Sequence, residues 1–154
     1  MKKRLHLFAP AAGAVLVCIQ FFPPAPNLGS RDGPNDLAAR YAVPADVKTL
    51  LVQACYDCHS DRTDYPRYVH VQPIGWWLAH HVSEGKSHLN FSRFGDYPPK
   101  QAARKLDVIS DEVEDGEMPL RSYTWMHPAA RLTPAQRSAI IDWAQTLHDQ
   151  LDPQ

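Results

Sequence analysis

Residues 55–59 read Cys-Tyr-Asp-Cys-His, and they close a pattern in which Val47, Leu50, Leu51, Ala54, Cys55 and Cys58 recur at steps of three and four. The spacing predicts a helix from Pro44 to about Cys58 with both thiols on its apolar face. This short stretch constrains the fold more than any other feature of the chain. Two thiols one helical turn apart, followed at once by an imidazole, are what covalent attachment of a haem requires: the thiols add across two vinyl groups and the imidazole reaches the iron from the same side.

Two other chemistries use the same residue types. A redox dithiol wants its C-x-x-C at the start of a helix that follows a strand, where the helix dipole lowers the first thiol's pKa. Here the pair ends a helical pattern and no strand pattern precedes it. A zinc site needs two further ligands at compact spacing. Cys18 is the only other cysteine, so no second C-x-x-C exists, and the histidines at 70, 80, 81, 88, 127 and 148 are scattered. The haem reading is therefore the expectation, with a zinc-binding exported module as an outlier.

The rest of the chain reads as all-α with long loops. Ile74, Trp77, Leu78, His81 and Val82 form one stripe after Pro73, with Gly85 offering a stop. Pro98 and Pro99 open a third helix with Ala102, Leu106, Ile109 and Val113 on one side, ended by Asp115-Gly116. Thr133 as N-cap and Pro134 at the first helical position start the last one, striped by Ala135, Ala139, Ile140, Trp143 and Leu147. The intervening segments 60–72 and 116–132 are long and rich in Tyr, Trp, His and Pro, so they are expected to wrap around something large. Tyr65, Tyr68, Trp76, Trp77 and Tyr123 are expected to wall a haem pocket, because a small domain needs large apolar side chains to cover a porphyrin.

His59 is the expected proximal ligand, and the sixth iron position selects among few donors. Besides Met1, methionine occurs only at 118 and 126. Met118 lies in Gly116-Glu117-Met118-Pro119, where glycine permits a sharp turn and proline stiffens the loop that presents sulfur. A Met/His pair raises the potential and favours electron transfer. Met126 reads as a gap-filling core residue beside Trp125. His81, four residues after Trp77 on the apolar stripe, Met126 and His127 are the competing ligands.

The chain begins Met1-Lys2-Lys3-Arg4 and continues through a nearly uncharged stretch to Phe22, the pattern of an uncleaved signal anchor or a signal peptide over 1–22. Cys18 reads as an apolar residue within it. Residues 23–40, rich in Pro and Gly, are expected to be a tether, and 41–152 the folded domain, a length that suits one core. Beyond residue 22 the chain carries 13 basic against 17 acidic residues, a balance that argues against nucleic acid or an anionic lipid surface as the partner of the folded part. The run Asp111-Glu112-Val113-Glu114-Asp115 reads as a solvated helix end, with docking of a basic redox partner as its alternative.

Cys55-Tyr56-Asp57-Cys58-His59-Ser60, Leu89-Asn90-Phe91-Ser92, Gly116-Glu117-Met118-Pro119, Tyr123 to His127-Pro128, and Leu132 with Asp142-Trp143-Ala144 together resemble the haem-binding domain family of bacterial membrane-anchored c-type cytochromes. The resemblance covers roughly residues 40–150. It implies a class I-like cytochrome c fold, whose first and last helices cross near one covalently bound haem c. It carries the proximal role onto His59 and the distal role onto Met118, and suggests Asn90, with Ser92 and Arg93, either as propionate contacts or as turn-fixing residues. The resulting expectation is a monohaem cytochrome tethered to the periplasmic face of the inner membrane, passing single electrons between redox partner proteins and not acting as an enzyme. The alternative is a haem sensor or peroxidase-like enzyme with a displaceable sixth ligand.

Overall fold

The protein, described here by a computed structural model, has defined backbone over residues 2–152, with side chains described from Pro10 on. Met1 and the side chains through Ala9, all within the expected anchor, lie outside the described residues. Eight α-helices follow in order: α1 Lys2–Cys18, α2 Leu37–Arg40, α3 Ala45–Ala54, α4 Tyr56–His59, α5 Ile74–His88, α6 Pro99–Glu114, α7 Arg121–Met126 and α8 Pro134–Leu151. Short 3-10 turns lie between several of them. Among the described residues there is no strand, only an isolated antiparallel bridge between Leu28 and Arg62. The all-α expectation holds.

The core sits where α3, α6 and α8 meet. Leu51, Leu106, Ile140 and Ala144 are sealed there together with Phe91 and Phe94. The pairing of α6 with α8 is the most extensive in the molecule, and α3 packs on α8. Trp143 on α8 completes that second contact by donating its Nε1–H to the carbonyl of Ala42 at 3.2 Å. The start of α8 follows its sequence signal: Thr133 and Gln136 form a reciprocal capping box, with Pro134 in the first turn. At the end of α6, Gly116 adopts a positive φ of 74°, a conformation that costs any residue with a Cβ.

Three expectations are corrected. The helix predicted over 44–58 breaks at Cys55, whose φ of −127° lies outside the helical region, and restarts as α4. The stop expected at Gly85 does not occur, since α5 continues to His88. A Cβ at Gly85 would lie 2.7 Å from the carbonyl oxygen of Cys58, so this glycine serves close approach of α5 to α4 rather than termination.

The third correction concerns the expected tether. Leu37, assigned to it, is fully buried in the core, and Asp36 caps α2 by accepting from the Ala38 N–H at 2.9 Å. Further upstream, Asn27 donates its amide to the Ser60 carbonyl and to Thr63 Oγ1, while Gly29 N–H donates to the Asp61 carbonyl at 2.7 Å. Proline and glycine keep 23–35 out of helix, as expected, but its backbone amides and carbonyls pair with the loop after α4. Long-range pairing of this kind satisfies polar groups that no local pattern reveals.

At the other end, α1 stands away from the core. Its side chains from Pro10 to Cys18 are exposed, although nearly all are apolar. Among the described residues no helix is long and apolar enough to cross a membrane.

Candidate haem site

The Cys55–His59 segment is one helical turn. The N–H of Cys58 and that of His59 both donate to the Cys55 carbonyl, at 3.2 and 2.9 Å, which places the two cysteines a turn apart. Both are partly exposed free thiols. Burial pushes their pKa up, to about 12 for Cys55 and about 11 for Cys58, helped in the second case by the neighbouring Asp57 carboxylate. A redox dithiol depends on a lowered thiol pKa; these thiols are shifted the opposite way.

His59 is oriented by the backbone. Its Nδ1 donates to the Leu89 carbonyl at 3.2 Å, which leaves Nε2 as the unprotonated nitrogen of the neutral ring. Burial lowers the pKa of this imidazole, against the opposing pull of the Leu89 and Gly85 carbonyls. Fixing one ring nitrogen on a carbonyl is how proteins set the tautomer and orientation of a metal-ligating histidine. The donor set therefore fits a covalently attached haem: two thiols on one turn and a neutral, oriented imidazole beside them.

The residue between the cysteines proves to be a hub that the sequence did not announce. Asp57 Oδ1 accepts from Arg31 Nη2 at 2.7 Å and from the Asp64 N–H at 3.1 Å. Its Oδ2 accepts from the Tyr123 hydroxyl at 2.8 Å, and burial together with that carboxylate drives the tyrosine pKa upward. One carboxylate thus ties the Cys55–His59 turn to the Pro- and Gly-rich segment through Arg31 and to α7, which follows the Met118 loop. The only local hint was an acidic residue placed between two cysteines.

The other candidate residues are placed as follows. Met118 is half-buried, and its N–H donates back to the Glu112 carbonyl at 3.0 Å, fixing the loop to the end of α6. His81 Nδ1 donates to the Trp77 carbonyl at 2.8 Å and its ring lies 4.2 Å from that of Trp77. His127 Nδ1 donates to the Tyr123 carbonyl at 3.1 Å and stacks on the Tyr123 ring at 4.2 Å. Like His59, each of these histidines has its Nδ1 on a backbone carbonyl. Met126, expected in the core, is 48% exposed, and Trp125 beside it 76%. The six-residue α7 turns Tyr123 inward toward Asp57 and leaves these two outside.

Asn90 fixes a turn: its Oδ1 accepts from the Ser92 N–H at 3.0 Å and its Nδ2 donates to Asp61 Oδ1 at 2.9 Å. Arg93 reaches the same carboxylate, donating from Nε to Asp61 Oδ2 at 2.8 Å, and the Ser92 hydroxyl accepts from the Asp61 N–H. Tyr65 is half-buried, its hydroxyl accepting from the Asn27 N–H. Tyr68 is half-buried as well, whereas Trp76 and Trp77 are exposed. Two cavities, of about 650 and about 500 Å³, are lined by neither Cys55, Cys58 nor His59; the larger holds Gly116, Glu117 and Pro119, which flank Met118. Among the described residues no group of three His, Cys, Asp or Glu side chains is gathered to hold a metal ion.

A helical domain with a C-x-x-C-H turn, its histidine oriented by a backbone carbonyl, defines a haem-binding protein. The pattern of the haem-binding domain family matches residues 14–146, and the chain belongs to that family. No curated protein and no solved structure matches it.

Proposed function

We propose that this haem-binding protein is a monohaem c-type cytochrome that carries single electrons at the periplasmic face of the inner membrane. The observation that carries the reading is the attachment turn, with Cys55 and Cys58 one turn apart and His59 Nδ1 committed to the Leu89 carbonyl. In this reading Cys55 and Cys58 would hold the haem through thioether bonds, and His59 Nε2 and the Met118 sulfur would hold its iron. The bound haem supplies a one-electron couple. The chain's own work is to orient the imidazole through Leu89, to hold the Met118 loop through Glu112, and to cover the site with aromatic side chains.

Tethering belongs to the same proposal. From Leu5, α1 and the 3-10 turn Ile19–Phe21 that continues it measure about 27 Å, against a hydrocarbon core of about 30 Å. The basic Lys2-Lys3-Arg4 in front fits a cytoplasmic end.

Alkaline pyridine extraction of the denatured protein tests the attachment: haem that stays with the chain supports the thioethers, and haem that washes out refutes them. Ferric spectra of Met118→Ala, His81→Ala and His127→Ala identify the sixth ligand, because only loss of the true ligand converts low-spin iron to high-spin. High-spin iron in the unmodified protein would instead support the sensor or peroxidase-like reading.

A further inference from the structure

The apolar helix α1 does not meet the domain through a slack linker. Gln20, at its end, pairs its side-chain amide with one backbone position: Oε1 accepts from the Gln72 N–H at 2.8 Å and Nε2 donates to the Gln72 carbonyl at 3.1 Å. Two residues on, the Phe22 carbonyl accepts from Trp76 Nε1 at 2.7 Å. Gln72 is itself buried, and its Oε1 accepts from the Trp76 N–H at 3.0 Å at the start of α5. Helix end, loop and α5 thus share one hydrogen-bonded joint. The family pattern begins at residue 14 and so includes this joint.

Around the joint lies an exposed apolar face made by Phe21, Phe22, Val71, Ile74 and Trp76. It is continuous with α1, where Val15, Leu16 and Val17 are also exposed. A helix that is apolar on all its described faces needs an apolar surrounding, and Trp76 at the end of such a helix matches the amphipathic aromatic side chains of a membrane–water interface. A contiguous apolar patch of this kind marks a contact surface.

We propose that the Phe21–Phe22, Val71, Ile74 and Trp76 face rests on the lipid bilayer surface, with the Gln20–Gln72 pair as the clamp that holds the haem domain in one orientation above it. The occupant is lipid, because the face is the direct continuation of α1 at the point where that helix would leave the bilayer. The inference rests on the membrane-tethered reading given above. It adds that the domain docks where a flexible tether would let it swing.

The test uses the full chain with its bound haem, reconstituted in phosphatidylcholine and phosphatidylglycerol vesicles that contain a diazirine-bearing lipid, and maps photo-adducts by peptide mass spectrometry. Adducts are expected on 5–22 and also on 71–76. In Gln20→Ala the 71–76 adducts are expected to fall about fivefold, as two hydrogen bonds are lost, while those on 5–22 persist. Gln20 lies outside the core, and an unchanged Soret spectrum reports that the variant is folded. Adducts confined to 5–22 in the unmodified chain would overturn the docking while leaving the tether standing. Adducts on neither segment would remove the membrane reading and the docking together. Concentration-dependent chain-to-chain cross-links at 71–76 in place of lipid adducts would assign the face to a second copy and overturn the proposal.

Discussion

Asp57 shows how much one side chain can connect. It joins Arg31, the Asp64 N–H and Tyr123, so Tyr123→Phe is expected to cost about 2 kcal/mol, the worth of a hydrogen bond to a charged group. Asp57→Ala should cost more, about 3 kcal/mol or above, because it removes the bonds to Arg31, the Asp64 N–H and Tyr123 together. Urea unfolding of the haem-loaded protein, monitored by helix signal, measures both; equal effects of the two variants would argue against a shared hub. Asp36 makes a prediction of opposite sign. Burial raises its pKa above the ordinary 3.8, outweighing its bonds to the Ala38 N–H and the Tyr56 hydroxyl. The folded state therefore holds the proton more tightly than the unfolded one, and the stability linked to it is lost as pH rises through the folded-state value. Relative to Asp36→Asn, the unmodified protein should lose stability on going from pH 4 toward neutrality; a flat difference in melting temperature would contradict this. Neither role was visible in the sequence, since Asp36 sat in a presumed tether and Asp57 in a motif spacer.

At the scale of elements, the sequence was informative wherever the determinant is local. The starts of α6 and α8 and the turn at Gly116 follow proline, capping and glycine signals. The break at Cys55 was not legible, because periodicity runs through it and only the packing of α4 against α5 demands it. Gly85 is the same lesson in reverse: a glycine read as a stop is a contact point. Gly85→Val is expected to push α5 off the Cys58 carbonyl and destabilise by about 1–3 kcal/mol, the range of overpacking. Gly85→Ala should lie between it and the unmodified chain. Thr133→Ala should cost about 1 kcal/mol through loss of the α8 cap and leave the haem spectrum unchanged, which separates a helix-end effect from one at the site.

For the whole molecule, the boundary of the folded unit lies further toward the N-terminus than composition suggested. A Pro- and Gly-rich segment reads as tether because it forms no helix, yet Asn27, Gly29 and Arg31 bond to residues some thirty positions away, and such pairing leaves no periodic trace. A chain beginning at residue 41 should therefore be markedly less stable than one beginning at residue 23. Exposing the site of Leu37 alone forfeits about 2 kcal/mol of apolar burial, before the bonds to Asp57, Ser60 and Thr63 are counted. Comparable melting of the two chains would return 23–40 to the status of a linker. The site divides along the same line: Cys55, Cys58 and His59 were legible as neighbours in sequence and Tyr123 as an aromatic expected nearby, while the Leu89 carbonyl at His59 and Arg31 at Asp57 arrive only through the fold.

The attachment motif itself is usually written with two wild cards between its cysteines, and here neither position is free. Tyr56 is buried, stacks on Phe91 with ring centroids 4.9 Å apart and donates to Asp36; Asp57 is the hub just described. A library that randomises both positions and is screened for stable holoprotein should come back narrow, aromatic at 56 and aspartate at 57. In this chain the spacer carries as much information as the cysteines it separates.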